Sequence, residues 1–431
     1  MGYLKKSMLV VLCFVIFSPA INCFGESDGV SKEEDYKNLE IFTDVLALIQ
    51  RSYVEKVDSH ELIYGAIRGM LATLDPHSSF LTPDMYEDMQ ADTHGEFGGL
   101  GIEITVKDHA LIVVTPIEDT PAYSAGIKAG DQIVKINGQL TQDLEITQAV
   151  KLMRGPKGES VTLAIKRQGE KDLLTFTIVR DIIQLQSVKS RLLENHYGYV
   201  RVSQFQGRTG SDLQDQLKKL QQENSAMLKG VILDLRNNPG GLLDQAVAVA
   251  DLFLADGLIV YTEGRDPEAQ LKFTANPVDT EPDYPLVVLI NGGSASAAEI
   301  VAGALQDHGR AIIMGEQSFG KGSVQTIIPL GDDSGLRLTT ARYFTPSGRS
   351  IQARGITPDI IVPQLNLPQV DEAQQLREKD LQHHFKALPE SDARPGDKNK
   401  QDSEVTDDYQ LKRALELLKG FEILKHAEKV A

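Results

Sequence analysis

The sequence predicts a multidomain α/β protein, and three observations carry that expectation. At 431 residues the chain is too long for one compact core. Beyond Asp181 short apolar runs alternate with helical patterns, as in an α/β layer fold. Between His94 and Asp181 the texture is instead that of a small β-rich module, and apolar residues recur at helical spacing towards both ends of the chain.

Composition narrows the function classes. Hydrophobic residues make up 41% and charged residues 24%, ordinary for a soluble globular chain. Lys and Arg number 44 against 61 Asp and Glu, a formal charge of −17. Nucleic-acid binding rewards clustered Lys and Arg, so that class is disfavoured. The N-terminus predicts export. Lys5 and Lys6 precede an apolar run over 8–17, which Ser18, Pro19 and Ala20 break. This is the anatomy of a secretory signal, and the run is too short to span a bilayer comfortably. Cleavage after Ala20 and after Gly25 are both open, as are a lipidated Cys23 and an uncleaved anchor. Cys13 and Cys23 are the two cysteines of the chain. The mature protein is therefore expected to have no disulfide, cysteine nucleophile or cysteine metal site.

Leu39, Phe42, Leu46, Ile49 and Tyr53 form one helical stripe, and Ile63, Ile67, Met70 and Leu74 a second that ends at Asp75-Pro76. The pair reads as a helical hairpin packed on its neighbours or as a dimerisation arm. Strands are expected at 102–106, 111–115, 131–136, 161–166 and 173–179, with a helix over 143–153. In the α/β part, strands are expected at 199–202, 231–235, 286–290 and 312–315, and helices at 211–223, 242–254 and 297–306. The stretch 264–283 reads as an irregular excursion. From 363 onward the chain reads as a loose charged tail, with a terminal helix carrying Leu411, Leu415 and Leu418.

Two segments carry the β-rich module. One is Phe97-Gly98-Gly99-Leu100-Gly101-Ile102; the other runs from Pro121 through Ala125-Gly126-Ile127-Lys128-Ala129-Gly130-Asp131 to Asn137-Gly138. Glycines at a turn can point successive N–H groups at a carboxylate, and the strand that follows offers an edge to an extended peptide. Together the segments resemble a PDZ domain over 94–181, with Gly98, Gly99, Leu100, Gly101 and Ile102 as the peptide-binding residues.

Three further strings stand where an apolar strand hands over to a glycine-rich turn. They are Asp234-Leu235-Arg236-Asn237-Asn238-Pro239-Gly240-Gly241, Asn291-Gly292-Gly293-Ser294-Ala295-Ser296-Ala297, and Ser318-Phe319-Gly320-Lys321-Gly322-Ser323-Val324-Gln325. A turn that opens a helix presents unpaired N–H groups and a positive dipole end, which suits an oxyanion. Ser296 is the candidate nucleophile, with Ser294 as a rival. The N–H of Ala297 is the first oxyanion donor, and Gly240 or Gly241 the second. His308 lies twelve positions beyond Ser296, about 18 Å along an unbroken helix, so a histidine base is disfavoured. A lysine serves when burial favours its neutral form, and Lys321 between two glycines fits. Gln325 can orient its amine. Glu299 reads as structural.

These strings resemble the C-terminal processing peptidases (tail-specific proteases) from about Leu39 to Pro363. The 25 positions from Ser296 to Lys321 and the further four to Gln325 match the family's Ser/Lys/Gln arrangement. Leu74-Asp75-Pro76-His77-Ser78-Ser79-Phe80-Leu81 also resembles the family and reads as a structural turn. The resemblance implies a crotonase-like core of ββα units over 182–365, with the PDZ domain inserted before it. The residues themselves mark a signal segment at 1–25, a helical region at 31–93 and a charged tail at 366–431. The expected function is an exported, periplasmic serine endopeptidase that recognises proteins by their C-termini, without metal or organic cofactor. A homo-oligomer and an adaptor protein are further expected partners. The competing class is a PDZ scaffold on a catalytically silent core.

Overall fold

A computed structural model describes residues 32–107, 110–142, 144–194, 196–224, 227–365 and 408–430. The signal segment at 1–25, the predicted helix start at Asp143 and most of the charged tail lie outside them. The described residues fall into two compact units divided between Met70 and Leu71. The first holds α1 (Lys32–Ser52) and most of α2 (Ser59–Ala72). On α1 the apolar residues Tyr36, Leu39, Phe42, Val45 and Leu48 lie exposed.

The second unit opens with β1 (Ser79–Leu81) and α3 (Pro83–His94). The sequence reading did not anticipate α3. Thr82-Pro83 starts it and Gly95, at φ 76°, stops it, but it buries no residue and so carries no apolar stripe to read. The β-rich module follows as β2 (Glu96–Gly99), β3 (Ile102–Lys107), β4 (Ala110–Pro116), α4 (Pro121–Ala125), β5 (Gln132–Ile136), β6 (Gln139–Leu140), α5 (Ile146–Met153), β7 (Ser160–Lys166), β8 (Leu174–Val179) and β9 (Asp181–Gln184). Its main sheet runs β3-β4-β5-β7-β8, with β6 on β5. Leu111, Val113, Ile133, Val161, Leu163 and Ile165 form a core of its own. One expectation needs correcting here. Gly98 and Gly99 are not in a turn; they lie in β2, paired with Ile182 and Asp181 of β9. The turn into β3 is Leu100-Gly101, and Gly101 supplies its positive φ of 77°.

The α/β part contains β10 (Val188–Leu193), β11 (Tyr197–Val202), α6 (Thr209–Asn224), β12 (Gly230–Asp234), α7 (Leu243–Asp251), β13 (Leu258–Gly264), β14 (Lys272–Thr274), β15 (Leu286–Ile290), α8 (Ala297–Asp307) and β16 (Ile312–Gly315). A hairpin of β17 (Ser323–Pro329) and β18 (Gly335–Phe344), then β19 (Ile360–Ile361) and α9 (Tyr409–Val430), complete it. The stretch read as an irregular excursion holds β14, which pairs with β13, and a turn of 3₁₀ helix at Pro267–Ala269.

The main sheet runs β10-β11-β12-β15-β16-β19, parallel throughout except for β10 against β11. Its strands are covered on both faces, so they read as unbroken apolar runs. Alternation still sorts the side chains. Val231, Leu233, Leu286, Val288 and Ile290 join the core packed with α6, α7 and α8. Ile232, Val287 and Leu289 face the other way, onto Leu411, Leu415 and Leu418 of α9. The terminal helix therefore caps a sheet face. Its entry is tied down by Arg236, which pairs with Asp408 at 2.7 Å and with buried Asp234 at 2.6 Å. A second sheet, β1-β18-β13-β14 with β17 on β18, flanks this body.

Leu418 is fully buried in that contact, so Leu418→Ala is expected to cost about 2–5 kcal/mol of stability. Urea denaturation checks it; a variant within about 0.5 kcal/mol of wild type would show that α9 does not hold the sheet face closed.

Candidate active site

Strands β12, β15 and β16 are neighbours and parallel, so their carboxyl ends open on one edge of the sheet. The three glycine-rich strings leave from those ends, and such an edge is where open α/β sheets place their ligands. Side chains lace the loops together. Asn291 Oδ1 accepts from the N–H of Asn237 at 2.9 Å, and its Nδ2 donates to Asn237 Oδ1 at 3.0 Å. Ala295 N–H donates to the Asn238 carbonyl, and Phe319 N–H to the Ser294 carbonyl.

Ser296 stands immediately before α8 with φ 54° and ψ −113°, a conformation that costs a non-glycine residue strain energy. Such strain persists only where surrounding bonds enforce it. Its N–H donates to Glu299 Oε2 at 2.7 Å, and its carbonyl accepts from the N–H groups of Glu299 and Ile300. Ser294, the rival, is fully buried; its hydroxyl donates to the Leu235 carbonyl at 2.7 Å and accepts from the Asn291 N–H at 3.0 Å. That hydroxyl is fully committed to the loop. His308 caps the far end of α8 and bonds the Leu258 carbonyl.

Glu299 is the residue whose reach sequence reasoning missed. Fully buried, its carboxylate accepts from Ser296 N–H, Lys321 N–H (2.9 Å), Gly320 N–H (2.7 Å) and Ser318 hydroxyl (2.6 Å). One oxygen, Oε2, thus holds the backbone N–H of both the candidate nucleophile and the candidate base, at most two hydrogen-bond lengths apart. Burial pushes this carboxyl above the usual glutamate range, and the donors from Ser318, Gly320, Ser296 and Lys321 pull against it. The available signal was its place three residues after Ser296, the capping-box position.

Lys321 is half-buried. Burial, then the Arg337 guanidinium, lowers its pKa from the ordinary lysine value. Among the described residues no carboxylate pairs with its amine. Gln325 lies on β17, where the pairing slips between Val324 and Gln325, so the simple i+4 strand geometry does not hold. Its Nε2 donates to Ser323 Oγ at 2.9 Å and to Thr339 Oγ1 at 3.4 Å. Tyr343 is buried beside Ser296; burial pushes its phenol up to about 12, and the hydrogen bond with Ser296 lowers it.

Gly240 backs directly onto Ser296. A Cβ there would meet the Ala295 carbonyl oxygen and Ser296 Cβ, each at 2.9 Å. Its N–H is spent on Asn238 Oδ1 at 2.8 Å. Gly241 is pressed against Phe205, where a Cβ would fall 2.0 Å from the carbonyl oxygen. In the β-rich module, Leu100, Gly101, Ile102 and Ile104 line a groove closed on the other side by Val150 and Met153 of α5. Strand β3 is an edge of its sheet. Lys151 and Arg154 tie α5 to α3 through Asp84 (2.6 Å) and Asp88 (2.7 Å).

Residues 196–362 match the model of peptidase family S41, residues 112–167 a PDZ domain, and residues 23–84 the N-terminal domain of the activating protease CtpB. The carboxy-terminal-processing protease of Bartonella bacilliformis is 48% identical over 96% of both chains. The carboxyl-terminal-processing protease of a Synechocystis species is 41% identical over 74% of this chain and 75% of its own. A solved photosystem II D1 C-terminal processing protease is 31% identical, covering 75% of this chain and 92% of that one, with a TM-score of 0.44. The chain belongs to the carboxy-terminal-processing proteases of peptidase family S41 and carries a PDZ domain.

Glu299→Gln replaces an acceptor facing donors with a group that is itself half donor, at about 1–3 kcal/mol per stranded N–H. The expected result is a lowered urea midpoint together with reduced casein turnover. Wild-type values for both would show that the carboxylate does not hold the two loops.

Proposed function

We propose that this chain is an exported serine endopeptidase working through Ser296, Lys321 and Gln325 on proteins selected by their C-termini. The observation that carries the reading is the Glu299 carboxylate, which joins the backbone of Ser296 to that of a half-buried lysine lacking a counter-ion among the described residues. Desolvation favours the neutral amine, so Lys321 can take the Ser296 Oγ proton as the oxygen attacks the scissile carbonyl carbon. The N–H of Ala297 holds the resulting oxyanion. Of the two candidate glycines, Gly241 is the second donor, because the N–H of Gly240 already serves Asn238. Lys321 then returns the proton to the leaving amine and next activates the water that releases the acyl group. The ββα description of this core as crotonase-like belongs to the same proposal.

The PDZ groove holds the substrate tail. Leu100-Gly101 offers the carboxylate N–H groups for which no acceptor exists among the described residues, while β3 offers its edge and the apolar groove receives the last side chain. Export rests on the segment over 1–25; no helix among the described residues is long and apolar enough to cross a membrane. The exposed apolar residues of α1 support a homo-oligomer, and an adaptor is compatible with the PDZ domain.

Ser296→Ala and Lys321→Ala should each abolish casein hydrolysis while leaving the circular dichroism spectrum unchanged; turnover by either folded variant would refute the pair. Activity requires the amine without its proton. Because the Lys321 pKa lies below the ordinary 10.5, kcat/KM should climb with pH through that lowered value and then level off. A profile flat from about pH 5 to 9 with chemistry limiting contradicts a lysine base. With Ser296→Ala as the receptor, a peptide ending in a free carboxylate and an apolar residue should bind at least about tenfold more tightly than its C-terminal amide. Equal binding would remove the carboxylate from PDZ recognition.

A further inference from the structure

The turn ahead of β1, read from sequence as structural, reaches into the active-site hairpin. Asp75 accepts hydrogen bonds from the N–H groups of His77 (2.8 Å) and Ser78 (2.9 Å), the Ser78 hydroxyl (2.7 Å) and the Thr339 hydroxyl (3.1 Å). Ser78 Oγ in turn accepts from the Thr339 N–H at 3.1 Å. Burial raises the Asp75 pKa, but the bonds from Ser78, His77 and Thr339 more than offset it and keep the carboxyl below its ordinary value. Asp75 is therefore an anion, and an obligate acceptor, at neutral pH.

That settles the next link. Thr339 lies opposite Gln325 in the β17–β18 ladder. Its hydroxyl has one hydrogen, and Asp75 takes it, so towards Gln325 the oxygen can only accept. The Gln325 amide must present Nε2 there, with its other hydrogen on Ser323 Oγ. Flipping the amide would set its oxygen against the Thr339 lone pairs. With both N–H hydrogens engaged, Oε1 is the end left to face another donor. We propose that Asp75 is a positioning residue for the peptidase reaction, acting through Thr339 to fix the Gln325 amide with its oxygen presented to the Lys321 amine. This rests on the reading of Lys321 as the base and Gln325 as its support. The other charged or titratable groups near that amine are Arg337, whose Nε donates to the His77 carbonyl at 3.1 Å, and the His77 imidazole.

Thr339→Val keeps the side-chain shape and removes the relay; Thr339→Ser keeps the hydroxyl. Measured on the full chain where every variant is folded, Thr339→Val should lower kcat about tenfold with KM within about twofold, and Thr339→Ser should recover most of that loss. An oxygen accepting from an amine favours the charged form, so losing it should also move the rise of kcat/KM to lower pH. The double variant Gln325→Ala/Thr339→Val should be no slower than Gln325→Ala alone, because both break one chain. Asp75→Asn should fall in the same direction as Thr339→Val. Wild-type kcat and pH profile in Thr339→Val, or full additivity in the double variant, would overturn the relay while leaving Lys321 as base. Full activity in Gln325→Ala would instead remove Gln325 from the reaction, and the proposal with it.

Discussion

Glu299 lies fully buried, and its carboxylate is held by four donors drawn from two loops. Carrying a carboxylate into the interior is costly, and a directed set of N–H and O–H donors is what makes it tolerable. The cost has a structural return. Loops of small residues have little apolar surface with which to hold one another, so a shared carboxyl group defines their spacing where packing cannot. Ser296 keeps its strained backbone because its N–H and carbonyl are both bound within the first turn of α8, and the lysine loop hangs from the same carboxylate.

The sheet supplies the second constraint. Adjacent parallel strands deliver their carboxyl ends to one edge, and the loops from β12, β15 and β16 meet there without any long excursion. Helices α6, α7 and α8 on one face and α9 on the other keep the sheet buried on both sides. The buried pair of Asp234 and Arg236, extended to Asp408, joins the end of β12 to the start of α9, so the strand that leads to Gly240 and the capping helix share one anchor.

Short pieces of chain lie between the PDZ domain and the β17–β18 hairpin. Arg154 at the end of α5 lies 4.6 Å over the Phe97 ring beside the groove and pairs with Asp88 of α3. Helix α3 follows β1 directly, and β1 pairs with β18, which carries Thr339 and Tyr343. The ion pairs from α5 to α3 are largely exposed, so water and salt screen them and they hold the helices only weakly. The groove helix thus rests on its neighbour lightly, whereas the hairpin is fixed by full ladders of backbone bonds.

Much of this was legible in the residues. The parallel strands are continuous apolar runs, and 286–290 and 312–315 fall where the sequence places them, because burial on both faces leaves no polar alternation. Ser296, Lys321, Gln325 and the two glycines are singled out by the spacing of their strings and the family resemblance those strings carry. Helix α3 was hidden because it buries nothing. The β17–β18 hairpin was hidden because its exposed, mixed residues lack a clean period, and the true turn at Leu100-Gly101 because neighbouring glycines mask which one needs positive φ. What sequence could not decide were the long-range partners. That Glu299 holds two loops and that Asp75 meets Thr339 across 264 positions depend on strand adjacency and ladder register. A hydrogen bond is settled by distances of a few tenths of an ångström between groups far apart in the chain, and only the packed tertiary structure sets those distances.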